Sequence, residues 1–303
     1  MDFSALKKFL NSLEKDYGIP DFDCAIYYDH NYVFRYKTGL ISAIKQRTIP
    51  GRNLYLLHSG AKLISGVAVM QLIEQYKLSL DDPANKYVST VSDGVSVSEL
   101  LSVYSRDLKN EESEYSHRNV AKLVEKASGM AFGEFVRKYI TEPLKMKDTA
   151  FEITDKNRNK IAARYAYDSN RGAQIKRDFD AERFFEDNAG SLITSVDDYT
   201  AFCETLCGKG VSARGYRLLS EYSVDMLINN IMYNETEKND AFVSVGYHGS
   251  LILIDIKKKI TIVYAQHMKN LDAAQLDMYP RLRKLAYECI GADTWSKGYN
   301  VFG

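Results

Sequence analysis

The 303-residue chain is 45% hydrophobic and 26% charged, the balance of an ordinary soluble globular protein with core enough for one large or two moderate domains. Forty basic residues against forty acidic ones give a formal net charge of zero, which removes the basic footprint that nucleic-acid binding requires. No apolar run approaches the ~18 residues of a membrane span, so a membrane partner is excluded as well.

Phe3, Leu6, Leu10 and Leu13 repeat at helical spacing, so the chain opens on an amphipathic helix rather than a signal peptide. The expectation is a cytoplasmic protein. Asp23 to Tyr28 and Tyr32 to Tyr36 are β-prone runs on either side of Asp29-His30-Asn31, a hairpin pattern. From Leu63 through Val67, Met70 and Ile73 the apolar spacing predicts a helix to about Tyr76, before Asp81-Asp82-Pro83. Helical patterns dominate from about 81 to 204, including Asn119 to Lys126 ending at Gly129 and Phe132 to Ile140 ending at Pro143. The last third is β-rich: Ala241 to Val245, Ser250 to Ile256 and Ile260 to Gln266, the last two joined by the solvated turn Lys257-Lys258-Lys259. A helix from about Asp277 to Ile290 follows. Strands at both ends with helices between them predict one antiparallel sheet built from 1–80 and 205–303, and a mostly helical subdomain over 81–204. Cysteines 24, 203, 207 and 289 have no Cys-x-x-Cys spacing and read as reduced core thiols, neither metal ligands nor a disulfide.

The chemically suggestive stretch is His58-Ser59-Gly60-Ala61-Lys62. An alkyl hydroxyl is a poor nucleophile without a neighbouring base, and a lysine one helical turn away, on the same helix face, meets that need. Burial near other positive charge favours the neutral amine that accepts a proton. His58 adjoins the serine but points elsewhere on a helix. The spacing itself is common, and Ser42-Ala43-Ile44-Lys45 repeats it, but that copy runs into Thr48-Ile49-Pro50-Gly51, which does not continue as a helix. Ser59 instead follows the β-prone run Leu54 to Leu57 and heads a well-patterned helix. On spacing alone, a serine and a lysine that merely begin a helix remain an alternative.

A family resemblance emerges from several segments in order. Ser59-Gly60-Ala61-Lys62, with the helix exit Leu78-Ser79-Leu80-Asp81-Asp82-Pro83, resembles the nucleophile helix of the serine β-lactamase and penicillin-binding protein family, in its class C and esterase-like branch. Val95 to Leu101, Ser128-Gly129-Met130, Glu142-Pro143-Leu144-Lys145-Met146-Lys147-Asp148-Thr149 and Ala189-Gly190-Ser191-Leu192 with Ser195 to Asp198 resemble further family segments. Tyr115-Ser116-His117 falls where the family carries Tyr-x-Asn, and the resemblance runs from about residue 19 to 266.

The resemblance implies that Ser59 is acylated with assistance from Lys62, and that Tyr115, otherwise one tyrosine among 22, moves protons. His117 stands where the family's asparagine binds the lysine and the substrate amide; a protonated imidazole there adds positive charge beside Lys62. Ser244-Val245-Gly246 aligns with the third motif and lacks its cationic residue, so a substrate carboxylate loses its charged partner. Lys37-Thr38-Gly39 matches that motif literally but precedes the nucleophile, which makes it a decoy. His248 shares a strand face with Ser244 and Gly246 and is a candidate for the missing charge. The family's oxyanion hole uses backbone N–H groups, here those of Ser59 and Tyr247. The implied fold is α+β, of the β-lactamase/transpeptidase-like type: an antiparallel sheet flanked by helices, with a mostly helical subdomain. The implied function is a serine hydrolase that acts through an acyl-enzyme on a small ester, amide or peptide-like substrate, with no cofactor and no metal. A catalytically silent relative that uses the cleft for binding is the rival reading.

Overall fold

The computed structural model describes residues 1–38, 53–106, 116–168, 174–178, 192–232, 241–246, 249–269 and 276–293, without the side chains of 58, 59, 103–106, 166–168, 174–178 and 269. Among the described residues the strands are β1 (Phe22–Tyr28), β2 (Asn31–Thr38), β3 (Tyr55–Leu56), β4 (Arg164–Asp168), β5 (Gln174–Asp178), β6 (Ile193–Thr194), β7 (Ala241–Val245), β8 (Leu251–Asp255), β9 (Ile260–Ala265) and β10 (Met268–Lys269). The α-helices among the described residues are α1 (Ser4–Tyr17), α2 (His58–Glu74), α3 (Val97–Arg106), α4 (His117–Ser128), α5 (Phe132–Val136), α6 (Val196–Cys207), α7 (Glu221–Asp225) and α8 (Met278–Ile290).

The central sheet is antiparallel, in the order β2-β1-β9-β8-β7, so strands from both ends of the chain meet at the β1–β9 pair. The β1–β2 connection is a two-residue turn in which Asp29 and His30 both have positive φ, the backbone twist that suits a tight hairpin. Strands β8 and β9 are buried along their whole length because helices cover both faces of the sheet. The period-two alternation of a strand divides their side chains between two cores. Leu251 and Leu253 join Ile262, Tyr264, Leu6, Leu10, Leu282 and Tyr287 beneath α1 and α8. Ile252, Ile254 and Val263 face the other way, toward Tyr199, Phe202 and Leu206 of α6 and on to α2.

Helix α2 runs through that second core. Leu63, Ile64, Val67, Ala68, Val69, Met70 and Leu72 are all buried, so the helix is apolar nearly all round, as an internal helix must be. The helices α3, α4 and α5 pack on it, and a π-helical turn at Arg137–Thr141 continues α5. Among the described residues no helix is long and apolar enough to cross a membrane.

Two differences from the sequence expectation affect the site. The helix begins at His58, a turn before the apolar periodicity starts at Leu63, so Ser59 and Lys62 both lie within it. Within 81–204, where helical patterns dominate, the chain also forms the β4–β5 hairpin, whose strand β4 pairs in parallel with β10.

Gly66 shows how tightly α2 is held: a Cβ there would lie 2.8 Å from Leu227 Cδ1 and 3.0 Å from Met232 Sδ. Gly66→Val is expected to cost about 1–3 kcal/mol through overpacking, read as a lower urea midpoint with an unchanged m-value.

Candidate active site

The turn that carries Ser59 is fixed by segments distant in sequence. Leu54 N–H donates to Lys160 O at 2.9 Å, and Ala162 N–H returns a bond to Leu54 O at 2.9 Å. Tyr55 and Leu56 then pair with Thr194 and Ile193 in a two-residue antiparallel ladder. Leu57 N–H donates to Leu192 O at 2.8 Å, and α2 begins at the next residue. On the far side of Ser59, Tyr199 Oη of α6 donates to Gly60 O at 3.1 Å. Gly60 permits this approach, since a Cβ there would lie 3.1 Å from the Tyr199 ring.

His267 is the part of this clamp that the sequence did not announce. Its Nε2 is 2.8 Å from Leu56 N, its Nδ1 is 3.0 Å from Ala162 O, and the residue is 2% exposed. Because Leu56 N–H is a donor, Nε2 must accept; the ring proton therefore sits on Nδ1 and goes to Ala162 O. The neutral tautomer satisfies both partners, whereas protonation would set a second N–H against that of Leu56. A single histidine after an apolar strand gives no periodic signal, and its fit is visible only once β3 is in place. Tyr55 meets its ring edge-on, with centroids 5.3 Å apart. Burial, aided by the nearby Asp21, pushes the Tyr55 phenol well above its ordinary pKa, so this tyrosine keeps its proton and serves in packing.

Ser59 is the second residue of α2, in the turn whose first N–H groups have no intrahelical acceptor. Lys62 follows one turn later and is half-buried. His117 opens α4, with Nδ1 3.4 Å from the Oγ of Ser65, one turn beyond Lys62 on α2. Ser65 gives its only proton to Ala61 O at 2.8 Å, so the imidazole must be the donor in its contact with Ser65. The His117 ring stacks on Phe151 at 5.9 Å and meets the edge of Phe132 at 5.3 Å, which holds it against the helix.

Ser244 lies on β7, the edge strand of the central sheet, opposite Ile252 and half-buried. Beyond it Gly246 N–H donates to Ser250 O and Gly249 N–H to Gly246 O, each at 2.8 Å. Gly249 has φ 92°, and a Cβ on it would lie 1.9 Å from Gln266 Nε2, so both backbone and space demand glycine. Tyr115, Tyr247, His248, the segment Ala189 to Ser191 and the second Ser-x-x-Lys copy at 42–45 lie outside the described residues, as does the Ser59 side chain. The structure thus joins His117 to the Ser59–Lys62 helix and sets Ser244 on a sheet edge. Lys37 and Thr38 end β2, the opposite edge, four strand spacings or roughly 19 Å from β7, which removes them from the third-motif position.

A family model described as Beta-lactamase matches residues 6–283, and the chain belongs to that family. Its fold is the β-lactamase/transpeptidase-like one, within a group of hydrolases. Among solved structures, an octameric penicillin-binding protein homologue from Pyrococcus abyssi superposes with a TM-score of 0.72 at 17% identity, over 97% of this chain and 78% of that one. Unliganded simvastatin synthase from Aspergillus terreus does so with a TM-score of 0.74 at 13% identity, over 95% and 98% of the two chains. A curated relative, the teichoic acid D-alanine hydrolase of Staphylococcus aureus, is 22% identical over 257 residues, which cover 72% of this chain and 62% of that protein. The match therefore spans less than two thirds of that relative's length.

His267→Ala strands Leu56 N–H and Ala162 O in the interior. A loss of about 1–3 kcal/mol for each stranded group is expected, measured by urea denaturation; an unchanged midpoint would show that the imidazole is not holding β3.

Proposed function

We propose that the chain is a serine hydrolase that forms an acyl-enzyme at Ser59 on a small ester or amide. The observation that carries this reading is the fastening of the α2 entry on both sides of Ser59, by His267 and Leu192 before it and Tyr199 after it. Such a turn holds a nucleophile still before substrate arrives, which is where much of the gain from proximity originates. In the proposed cycle Ser59 Oγ attacks the substrate carbonyl carbon while its proton passes to Lys62, with Tyr115 relaying it to the leaving group. Water then attacks the acyl-enzyme, its proton leaves through the same groups, and Ser59 Oγ regains a proton. The backbone N–H groups of Ser59 and Tyr247 take the developing oxyanion, and α2 has no acidic residue in its first turn to oppose it.

The substrate class follows from charge. Ser244 offers a hydroxyl where the family carries a cation, so a substrate with a free carboxylate beside the scissile bond is disfavoured. An aminoacyl group attached through its own carboxyl presents an ammonium instead. The name of the Staphylococcus aureus relative makes a D-alanyl ester the first such compound to try.

A second reading, a silent relative with a binding cleft, is favoured by Ser244 and by the packing of His117 on Phe132 and Phe151. Steady-state assays with short-chain nitrophenyl esters and a D-alanyl ester separate the two. Turnover is expected in the wild type, to be abolished in Ser59→Ala and to fall by about 10²–10⁴-fold in kcat for Lys62→Ala. Turnover that survives Ser59→Ala, or none in folded wild type, would remove the hydrolase reading.

A further inference from the structure

At the other end of α6 three side chains of different ligand chemistry converge. His30, at the tip of the β1–β2 turn, brings Nδ1 to 3.1 Å from Glu204 Oε2. Cys207 lies one turn after Glu204 on α6, and the ligand atoms of all three residues lie within 4.8 Å of one another. Glu204 and Cys207 lie about 8 and 12 Å along α6 from Tyr199, the residue that touches the Ser59 turn, so the cluster is separate from the candidate active site.

Two features set this group apart from a chance surface contact. Glu204 Oε1 is buried and has no hydrogen-bond partner among the described residues, an acceptor that costs free energy unless something fills it. The cluster also grades from an open to a closed side: the His30 side chain is 42% exposed, that of Glu204 13%, and Cys207 2%. A ligand can thus enter past the imidazole and end at the sulfur.

We propose that His30, Glu204 and Cys207 bind a divalent transition-metal ion of the zinc class. Imidazole, carboxylate and thiolate together suit zinc, whereas calcium and magnesium prefer all-oxygen sites. A tetrahedral zinc spaces its ligand atoms about 3.3–3.8 Å apart, so the wider separations of the cluster, at most 4.8 Å, close by up to roughly 1 Å around the ion, leaving the fourth position to water. In the ion-free protein a carboxylate can only accept, so the His30 proton faces Glu204 from Nδ1. On binding, that proton moves to Nε2 through solvent and Nδ1 coordinates. Burial holds the Cys207 thiol protonated, pushed up to about 12, and coordination releases that proton to solvent. The bound ion fastens the β1–β2 turn to the C-terminal turn of α6 and satisfies Glu204 Oε1.

Cobalt(II) is the probe, because a thiolate ligand gives it a charge-transfer absorption in the near ultraviolet. Chelator-treated wild-type protein is expected to bind one equivalent with that band, zinc to displace it, and zinc to raise Tm. Cys207→Ser is expected to lose the band, while Glu204→Gln and His30→Ala keep the fold and weaken cobalt binding at least about tenfold. If Cys207→Ser does not fold, those two variants carry the test. No band in the wild type, a band retained in Cys207→Ser, or undiminished affinity in both other variants would overturn the proposal.

Discussion

The structure depends on the need to pair buried backbone groups along Leu54 to Gly60. Each residue from Leu54 to Leu57 offers polar groups that water does not reach, and they are met from different parts of the chain: Lys160, Ala162, Thr194, Leu192 and His267. Tyr199 adds a bond at Gly60. An unpaired amide or carbonyl in this interior costs about 1–3 kcal/mol, so none of these segments can shift alone. Residue 59 is the point where their constraints meet, and its place at the head of an internal helix is settled by tertiary structure rather than by local propensity.

In the proposed reading, one edge of the central sheet and the start of α4 give the site its chemical character. Edge strand β7 brings Ser244 to a half-buried position, and beyond it Gly246 bonds to Ser250 and Gly249. Gly249 is fixed there by its positive φ and by the nearness of Gln266. Under the proposed function, a serine where the family carries a cation alters which substrates are attracted. His117 gives its Nδ1 proton to Ser65 and leans on two phenylalanines, an arrangement that ties α4 to α2.

Much of this was legible in the sequence. The two β-prone runs near the start, the three near the end and the apolar spacing of α2 all carry local signals of composition or period, and each became the element expected of it. The ordered motifs pointed to the family that the match over residues 6–283 establishes. What escaped has a common cause. The β-prone run Leu54 to Leu57 became β3, but β6 is two residues long and the β4–β5 hairpin lies among helices; such strands exist because of partners far away in sequence, which no window of neighbours reveals. His267 escaped for the same reason, since its importance lies in Leu56 and Ala162. Cys207 was legible as a buried thiol, but its nearness to His30 appears only when the hairpin turn meets α6.

The most direct test of the account is intact-mass spectrometry after incubation with a fluorophosphonate, with Ser59→Ala in parallel. A turn held in place for nucleophilic attack predicts one covalent adduct per chain, mapped by peptide sequencing to Ser59 and missing from the variant. An unlabelled wild-type protein shown to be folded, or an adduct that persists in Ser59→Ala, would contradict it.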